Sequence, residues 1–428
     1  MITGHFLDAD LPAVDGVVRV ARAYRKTMER RLGPSWLVTP RHPDGVPDDP
    51  RSVRFFSLPF RPPYRLGVPA VDPLLSRRLA AIPFDVLHAH TPFAAGEVAL
   101  AHGRRQRRPV VFTLHSRYPD WAIAQYRRQP FTLGVLTADA LFRRPRTHRS
   151  RLRDHQVVTE DGVRFCVEAT QRMVFSYCTR VDCVFVPSEA LRRELHAYVD
   201  SCSPCERARP VPRMEVVRQG IDFPETARGE FRLRERYAIP PSTPVFLFVG
   251  QLAYEKEVPF LLEAAARLAA SGQEFHLVLV GDGPYRADFE ALASHLGVRA
   301  RCTFVGLVAD QRVLADHYAQ SDAFAFPSLY ETQGLAPMEA ASFGLPMVAQ
   351  RDAPGLSEVF TDGETAVMTE RTVEAFATAL RALCVDHERR RAVGQRARRV
   401  VVRAEQAVEA VVRVYRELST PGAPVRAR

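Results

Sequence analysis

Two glutamates, Glu331 and Glu339, stand on either side of Gly334 in SLYETQGLAPMEAASFGLPMVA (328–349), directly after the apolar run DAFAFPS. That run reads as a buried strand, and a helix is expected to begin near Leu335. A helix start offers unpaired N–H groups and the positive end of a dipole to an anion. Gly334 lets a phosphate come close to the backbone. Carboxylates repel phosphate, so the two glutamates must accept hydrogen bonds from hydroxyl groups. Glu331, in the loop, suits a polyol beside the phosphate. Glu339, about one turn into the helix, suits a ribose diol, although it also admits the role of a plain helix-surface carboxylate. Hydroxyls at both ends of a diphosphate describe a nucleotide-sugar.

Two further glycine turns follow strand-like runs. FVGQLAYEKE (248–257) contains Gly250 and then Lys256, a compact cation for a diphosphate. LVGDGP (279–284) carries Gly281 and Gly283, suited to a tight turn near a ligand. One such turn is an ordinary strand-to-helix connection, whereas three at the carboxyl ends of strands in one domain form a pattern. In the first half, His88 and His90 alternate at a strand end and are expected to face opposite ways, with His90 also open to a packing or capping role. Asp8 and Asp10 form a D-x-D in the first loop, read as loop chemistry, so no metal is expected there. Cys178, Cys183, Cys202 and Cys205 lie close in sequence and could gather a zinc ion, but Cys183 falls in a strand and Cys178 at a helix end, where packing is the expected role.

The elements that must hold these residues are legible as runs. Strands are expected at 35–40, 85–90, 109–115, 183–188 and 214–220, then at 244–250, 275–281, 302–306, 323–328 and 345–350. Short continuous Val/Phe/Leu runs alternating with amphipathic stretches describe parallel strands in βαβ units. Two series imply an α/β protein with two doubly wound, Rossmann-like domains, 1–225 and 226–400. The change falls in GIDFPETARGEFRLRERYAIPPSTP (220–244), where prolines and charges replace apolar periodicity. From about residue 387 a long basic helix is expected, with Val401, Ala404, Val408, Val411 and Tyr415 on one apolar stripe. The part from 401 to 428 is expected to cross back to the first domain, ending in a loose tail after Thr420. A basic insertion at about 125–162 interleaves arginine with Phe and Leu. It reads either as a solvated segment or as a surface for anionic lipid.

A chain of 428 residues is too long for one core, and 46% hydrophobic with 25% charged residues is globular rather than disordered. The formal charge of +10 favours anionic partners. No run is long enough to span a membrane, and no signal peptide is expected at MITGHFLDAD. Seven cysteines without a secretory signal fit a reducing compartment, so the cytoplasm is expected, with peripheral contact to the inner membrane face. A nucleic-acid binder would also be basic, but no aromatic-basic module accompanies the charge, and no nucleic-acid partner is expected.

Together these stretches resemble the retaining glycosyltransferases of family 4, with the GT-B fold, over nearly the whole chain. The resemblance implies two Rossmann-like domains facing across a cleft, donor in the second and acceptor in the first. The family's E-x7-E pair matches Glu331, for the donor sugar, and Glu339, for the ribose, within the variant ETQGL that includes Gln333, Gly334 and Leu335. Lys256 matches the lysine that clamps the donor diphosphate. The arginine usual in the family's GRL is Gln251 here, and the glycine usual after the lysine is Glu257. LDADLPAVDGVVR (7–19) resembles the family's first loop and places Gly16 at the phosphate-binding glycine. HAHTPFAAG (88–96) and TLHSRYPDW (113–121) resemble the glycolipid-forming members, in which the histidine matching His115 lies beside the donor sugar. His90, Tyr118, Asp120 and Trp121 are expected on the acceptor side. The resemblance thus implies hexose transfer from a nucleotide-sugar, UDP-glucose preferred, to a lipid such as diacylglycerol, with no cofactor. A soluble transferase acting on a small sugar or polyol, and a donor-binding member without transfer, stay open.

Overall fold

The computed structural model describes residues 1–10, 16–43, 49–61, 64–118, 170–201, 213–224, 226–227 and 229–420. Asp120, Trp121, the basic insertion 125–162, Cys202 and Cys205 lie outside the described residues. Contacts divide the chain into two units: Met1 to Gly220 with the helix Ala404–Ser419, and Ile221 to Arg403.

In the first unit, β1 (Thr3–Phe6), β2 (Ser35–Pro40), β3 (Ser52–Phe55), β6 (Val86–Ala89), β7 (Val110–Thr113), β8 (Cys183–Val186) and β9 (Met214–Val216) form a parallel sheet in the order β3-β2-β1-β6-β7-β8-β9. A separate antiparallel hairpin pairs β4 (Ser57–Arg61) with β5 (Tyr64–Gly67). In the second unit, β10 (Val245–Val249), β11 (His276–Val280), β12 (Cys302–Gly306), β13 (Ala323–Phe326), β14 (Met347–Gln350) and β15 (Val367–Thr369) run parallel in the order β12-β11-β10-β13-β14-β15. Both orders reverse once, at β1/β6 and at β10/β13. An open α/β sheet forms its crevice at such a reversal, because the crossover helices on either side leave on opposite faces. The inner strands β6, β7, β8, β10, β11, β13 and β14 are buried over nearly their full length, as apolar runs such as VVFT and VFLFV require, whereas the edge strand β9 is only half-buried.

The sequence reading misses the central strand β1. Thr-Gly-His-Phe lacks a β-branched or aliphatic run, and only pairing with β2 and β6 on both sides makes it a strand. β3, β4, β5 and β15 are also too short or too polar to stand out. The expected single helix from 387 is two helices, His387–Ala397 and Ala404–Ser419. Between them a 3-10 turn, Arg398–Val400, leads into an extended stretch, where Ile221 pairs with Arg403 and its N–H donates to the Val402 carbonyl. Ala404, Val408, Val411 and Tyr415 are buried as expected, whereas Val401 lies outside the helix and is half-buried. This last helix packs on the helix Gly16–Leu32, with Arg30–Glu405 and Arg31–Glu409 ion pairs at 2.8 and 3.1 Å along the seam.

Candidate active site

In the second unit the residues singled out above gather around the β10/β13 reversal. After β10 the chain makes the turn of Gly250 and exposed Gln251, then a short 3-10 turn, Tyr254–Lys256. After β13 it runs through Ser328 to Glu331. Lys256 Nζ donates to Glu331 Oε1 at 2.6 Å, and Ser328 Oγ donates to the same oxygen at 2.9 Å. Burial works against the charge on Lys256, and the Glu331 carboxylate more than offsets it, so the ammonium pKa is raised. Glu257, standing where the family has glycine, adopts φ 54° and pairs with Arg371 at 3.4 Å. The left-handed backbone is retained although the residue that favours it is not.

Gly334 takes φ 83° and caps the helix Leu335–Ser342, so the helix begins where the sequence predicts. Gln333 and Glu339 are fully buried. Glu339 is therefore no surface carboxylate; its Oε2 accepts a hydrogen bond from the buried Tyr318 hydroxyl at 2.9 Å. Gly281 and Gly283 serve packing between turns. A Cβ on Gly281 would lie 1.9 Å from the Gly250 carbonyl oxygen, and one on Gly283 would lie 2.3 Å from that of Leu252. A supporting residue missed in the sequence is Gly355, whose added Cβ would meet the Glu331 carbonyl oxygen at 2.1 Å. Only a glycine following a helix-initiating proline hinted at it.

In the first unit the carboxyl ends of β1, β6 and β7 carry histidines. His5 lies in β1, His90 just past β6 and His115 just past β7, and these three strands are adjacent. His5 Nδ1 is 2.9 Å from His90 Nε2, His90 Nδ1 is 2.9 Å from His115 Nε2, and His115 Nδ1 is 2.8 Å from the Gln219 side-chain amide. His88 stacks on His90 with ring centroids 4.1 Å apart. The expectation that His88 and His90 face opposite ways is thus corrected: residues two apart in a strand share a face. His88 bonds outside the row, to the Tyr415 hydroxyl and to Thr113 Oγ1, both at 2.6 Å. Burial, with the Arg25 charge added, lowers the His5 pKa to about 3. Burial alone lowers His115 to about 3. His88 and His90 are held well below the ordinary value, chiefly by burial and then by neighbouring imidazoles. All four rings are neutral at physiological pH.

Nitrogens of His5, His88 and His90 lie within 4.8 Å of one another, close enough to share an ion. Their arrangement does not suit one. His90 stacks on His5 and on His88 with interplanar angles of 22°, and lone pairs that lie in the planes of stacked rings stay in separate planes instead of converging on one point as tetrahedral ligation needs. Every ring nitrogen of the three except His5 Nε2 also has a hydrogen-bond partner. The D-x-D aspartates are engaged as well. Asp8 accepts from Ala95 N–H, at the start of the helix Ala94–Gln106, and from Thr91 Oγ1, while Asp10 pairs with Arg22 at 2.5 Å. Cys178 and Cys183 are buried in the core, and burial pushes the Cys178 thiol up to about 12. Gly16 is exposed at the start of its helix, and Tyr118 is buried edge-on against Phe93.

Two doubly wound units, each reversing its strand order once, are the architecture of the GT-B fold that solved glycosyltransferases share. Residues 14–222 match Glycosyltransferase Family 4, and residues 230–400 match Glycosyl transferases group 1. The chain is a GT4-like glycosyltransferase. It is 25% identical to alpha-monoglucosyldiacylglycerol synthase of Streptococcus pneumoniae, over 85% of this chain and 74% of that relative. It is 28% identical to sulfoquinovosyl transferase SQD2 of Arabidopsis thaliana, over 86% and 64% respectively. Among solved structures, Anabaena HepE in complex with UDP and glucose aligns with a TM-score of 0.68 at 16% identity, covering 97% of this chain and 99% of that one.

Proposed function

We propose that the protein transfers a hexose, glucose, from a UDP-linked donor to a hydroxyl of a membrane lipid such as diacylglycerol, with retention at the anomeric carbon. The observation that carries this reading is the meeting of Lys256 and Glu331 at the β10/β13 reversal, beside the helix start at Gly334. Departure of a nucleoside diphosphate leaves negative charge on its outer phosphate. Lys256 and the first amides of the helix Leu335–Ser342 are the groups that would receive it. Glu331 would hold sugar hydroxyls and Glu339 the ribose. The oxygen acceptor replaces the phosphate oxygen at the anomeric carbon, and its proton passes to the leaving diphosphate. The relatives named for diacylglycerol glucosylation and sulfoquinovosyl transfer, and the neighbour with bound UDP and glucose, support this donor and acceptor class.

A lipid is favoured over a small soluble acceptor by the hairpin of β4 and β5. Its outward face shows Phe56, Leu58 and Leu66, exposed by 43, 45 and 39%. Leu58 and Leu66 are directly paired across the hairpin. No helix among the described residues is long and apolar enough to cross a membrane, so contact with lipid would be made from the surface. The test is incorporation of label from radiolabelled UDP-glucose into liposomes containing diacylglycerol and anionic lipid, with Glu331→Ala as control. Label in the lipid phase, lost in the variant, is the expected result. Label in added sugar or polyol acceptors alone would replace the lipid reading.

A further inference from the structure

The row His5–His90–His115–Gln219 has a property that the hydrogen-bond rules fix without reference to any ligand. A neutral imidazole carries one proton on its two nitrogens. Both nitrogens of His90 face a ring nitrogen, at 2.9 Å on each side. Each of these two contacts needs one proton between the rings. If His90 carries its proton on Nδ1, it donates to His115 Nε2 and must accept from His5 Nδ1–H. If it carries the proton on Nε2, it donates to His5 Nδ1 and must accept from His115 Nε2–H. All three rings then bear their protons on the nitrogen of the same name, either Nδ1 throughout or Nε2 throughout. Gln219 closes the row in either case, because its side chain offers an oxygen or an amide to His115 Nδ1 according to its rotation.

We propose that His5 and His90 are positioning residues for His115, holding it as a neutral imidazole whose tautomer and ring orientation are set by the proton arrangement of the whole row. This rests on the reading of His115 as the residue beside the donor sugar. The row is enclosed, with His5 and His90 fully buried and His115 and Gln219 only 7 and 5% exposed. Burial keeps the imidazoles uncharged, so the one-proton count holds at neutral pH. His88 supports the row from the side, flat against His90, while the Tyr415 hydroxyl and Thr113 occupy both its nitrogens. His90 is thus one strand and His5 two strands away from His115 in the sheet, yet together they decide which of its nitrogens carries a proton. A ring fixed at both nitrogens does not swing on donor binding, which is the preorganisation that a reacting centre needs.

The test begins with the full-length wild-type protein labelled with 15N-histidine. Long-range proton–nitrogen spectra at neutral pH, assigned through His5→Gln, His90→Asn and His115→Asn variants, give the protonated nitrogen of each ring. The expected result is the same tautomer in His5, His90 and His115. A mixed set, or a doubly protonated ring among the three, overturns the proposal whatever the activity. Kinetics supply the second arm. His90→Ala is expected to lower kcat by about a hundredfold, with the donor KM little changed and His115 relaxing to a mixture of tautomers. Loss confined to KM, or an unaltered His115 tautomer in that variant, counts against positioning. Should the three wild-type rings share a tautomer while His115→Ala transfers sugar at the wild-type rate, the row stands and the assignment of His115 to the donor falls.

Discussion

Lys256 Nζ lies 2.6 Å from Glu331 Oε1, so the cation that the sequence assigns to a diphosphate and the carboxylate it assigns to sugar hydroxyls hold each other. Their side chains are 25 and 11% exposed, which leaves the pair within reach of a ligand. A donor bound as proposed would therefore bridge the two groups or separate them. Lys256→Ala should raise the donor KM at least ~10-fold and Glu331→Gln should lower kcat more than it changes KM. The double variant should lose less than the product of the single losses, because each single change strands the other partner. Steady-state kinetics across the cycle measure this coupling, and independent, multiplicative losses would show that the pair does not act as a unit. The chain offers a direct probe, since Lys26 and Lys256 are its only lysines. After reductive 13C-methylation, UDP should shift the Lys256 signal and leave that of Lys26 unmoved.

Gly355 shapes the Glu331 loop from beneath. In Gly355→Ala the new methyl group would sit 2.1 Å from the Glu331 carbonyl oxygen and 2.6 Å from Thr332 backbone atoms, none of which can rotate away. Expected are a loss of about 1–3 kcal/mol of stability and a fall in kcat at temperatures where the variant is folded. Thermal melts and initial rates check both, and an unchanged rate would separate this backbone from the chemistry.

Acid should act on the first unit through its histidines. The folded-state pKa values of His5 and His115, about 3, lie below the ordinary value of about 6.5. The unfolded chain therefore binds more protons between these limits. Stability is fully present above about pH 6.5 and is lost as pH falls toward 3, by up to about 1.4 kcal/mol per pH unit for each such histidine. Chemical denaturation across this range measures the slope, and His5→Gln should remove about one histidine's share of it. A slope unchanged in that variant would mean that His5 is not buried neutral.

Gln251 is exposed just past β10, where the resemblance implies an arginine. Gln251→Arg should lower the donor KM several-fold at low salt, with the gain shrinking as salt screens the added charge. Weaker donor binding in the variant would show that the phosphate lies elsewhere.

The second unit was the more legible half. Its strands are uninterrupted Val, Phe and Leu runs, as in VFLFV and HLVLV, because both faces of the sheet are covered. Glu331, Gly334 and Lys256 follow such runs directly, so their place at a sheet edge could be read from order alone. The first unit hid its centre. β1 is Thr-Gly-His-Phe, and the buried His5 within it has the composition of a loop. Its partners His90, His115 and Gln219 are 85, 25 and 104 residues along the chain at successive contacts, a proximity that sheet pairing creates and local pattern cannot show. The roles of Gly281 and Gly355 were hidden for the same reason, since the atoms that exclude a side chain belong to another turn.

The helix Ala404–Ser419 completes a unit whose other residues end at Gly220. A ribosome therefore makes the whole of the second unit before it makes the piece that the first one lacks. During synthesis the order of completion is the reverse of the order in the sequence. The core beside His88 waits for Tyr415, which reaches it across 327 residues of chain. A nascent chain that stops short of residue 404 holds the whole of the second unit, Lys256 and Glu331 included, and leaves His88 without the Tyr415 hydroxyl.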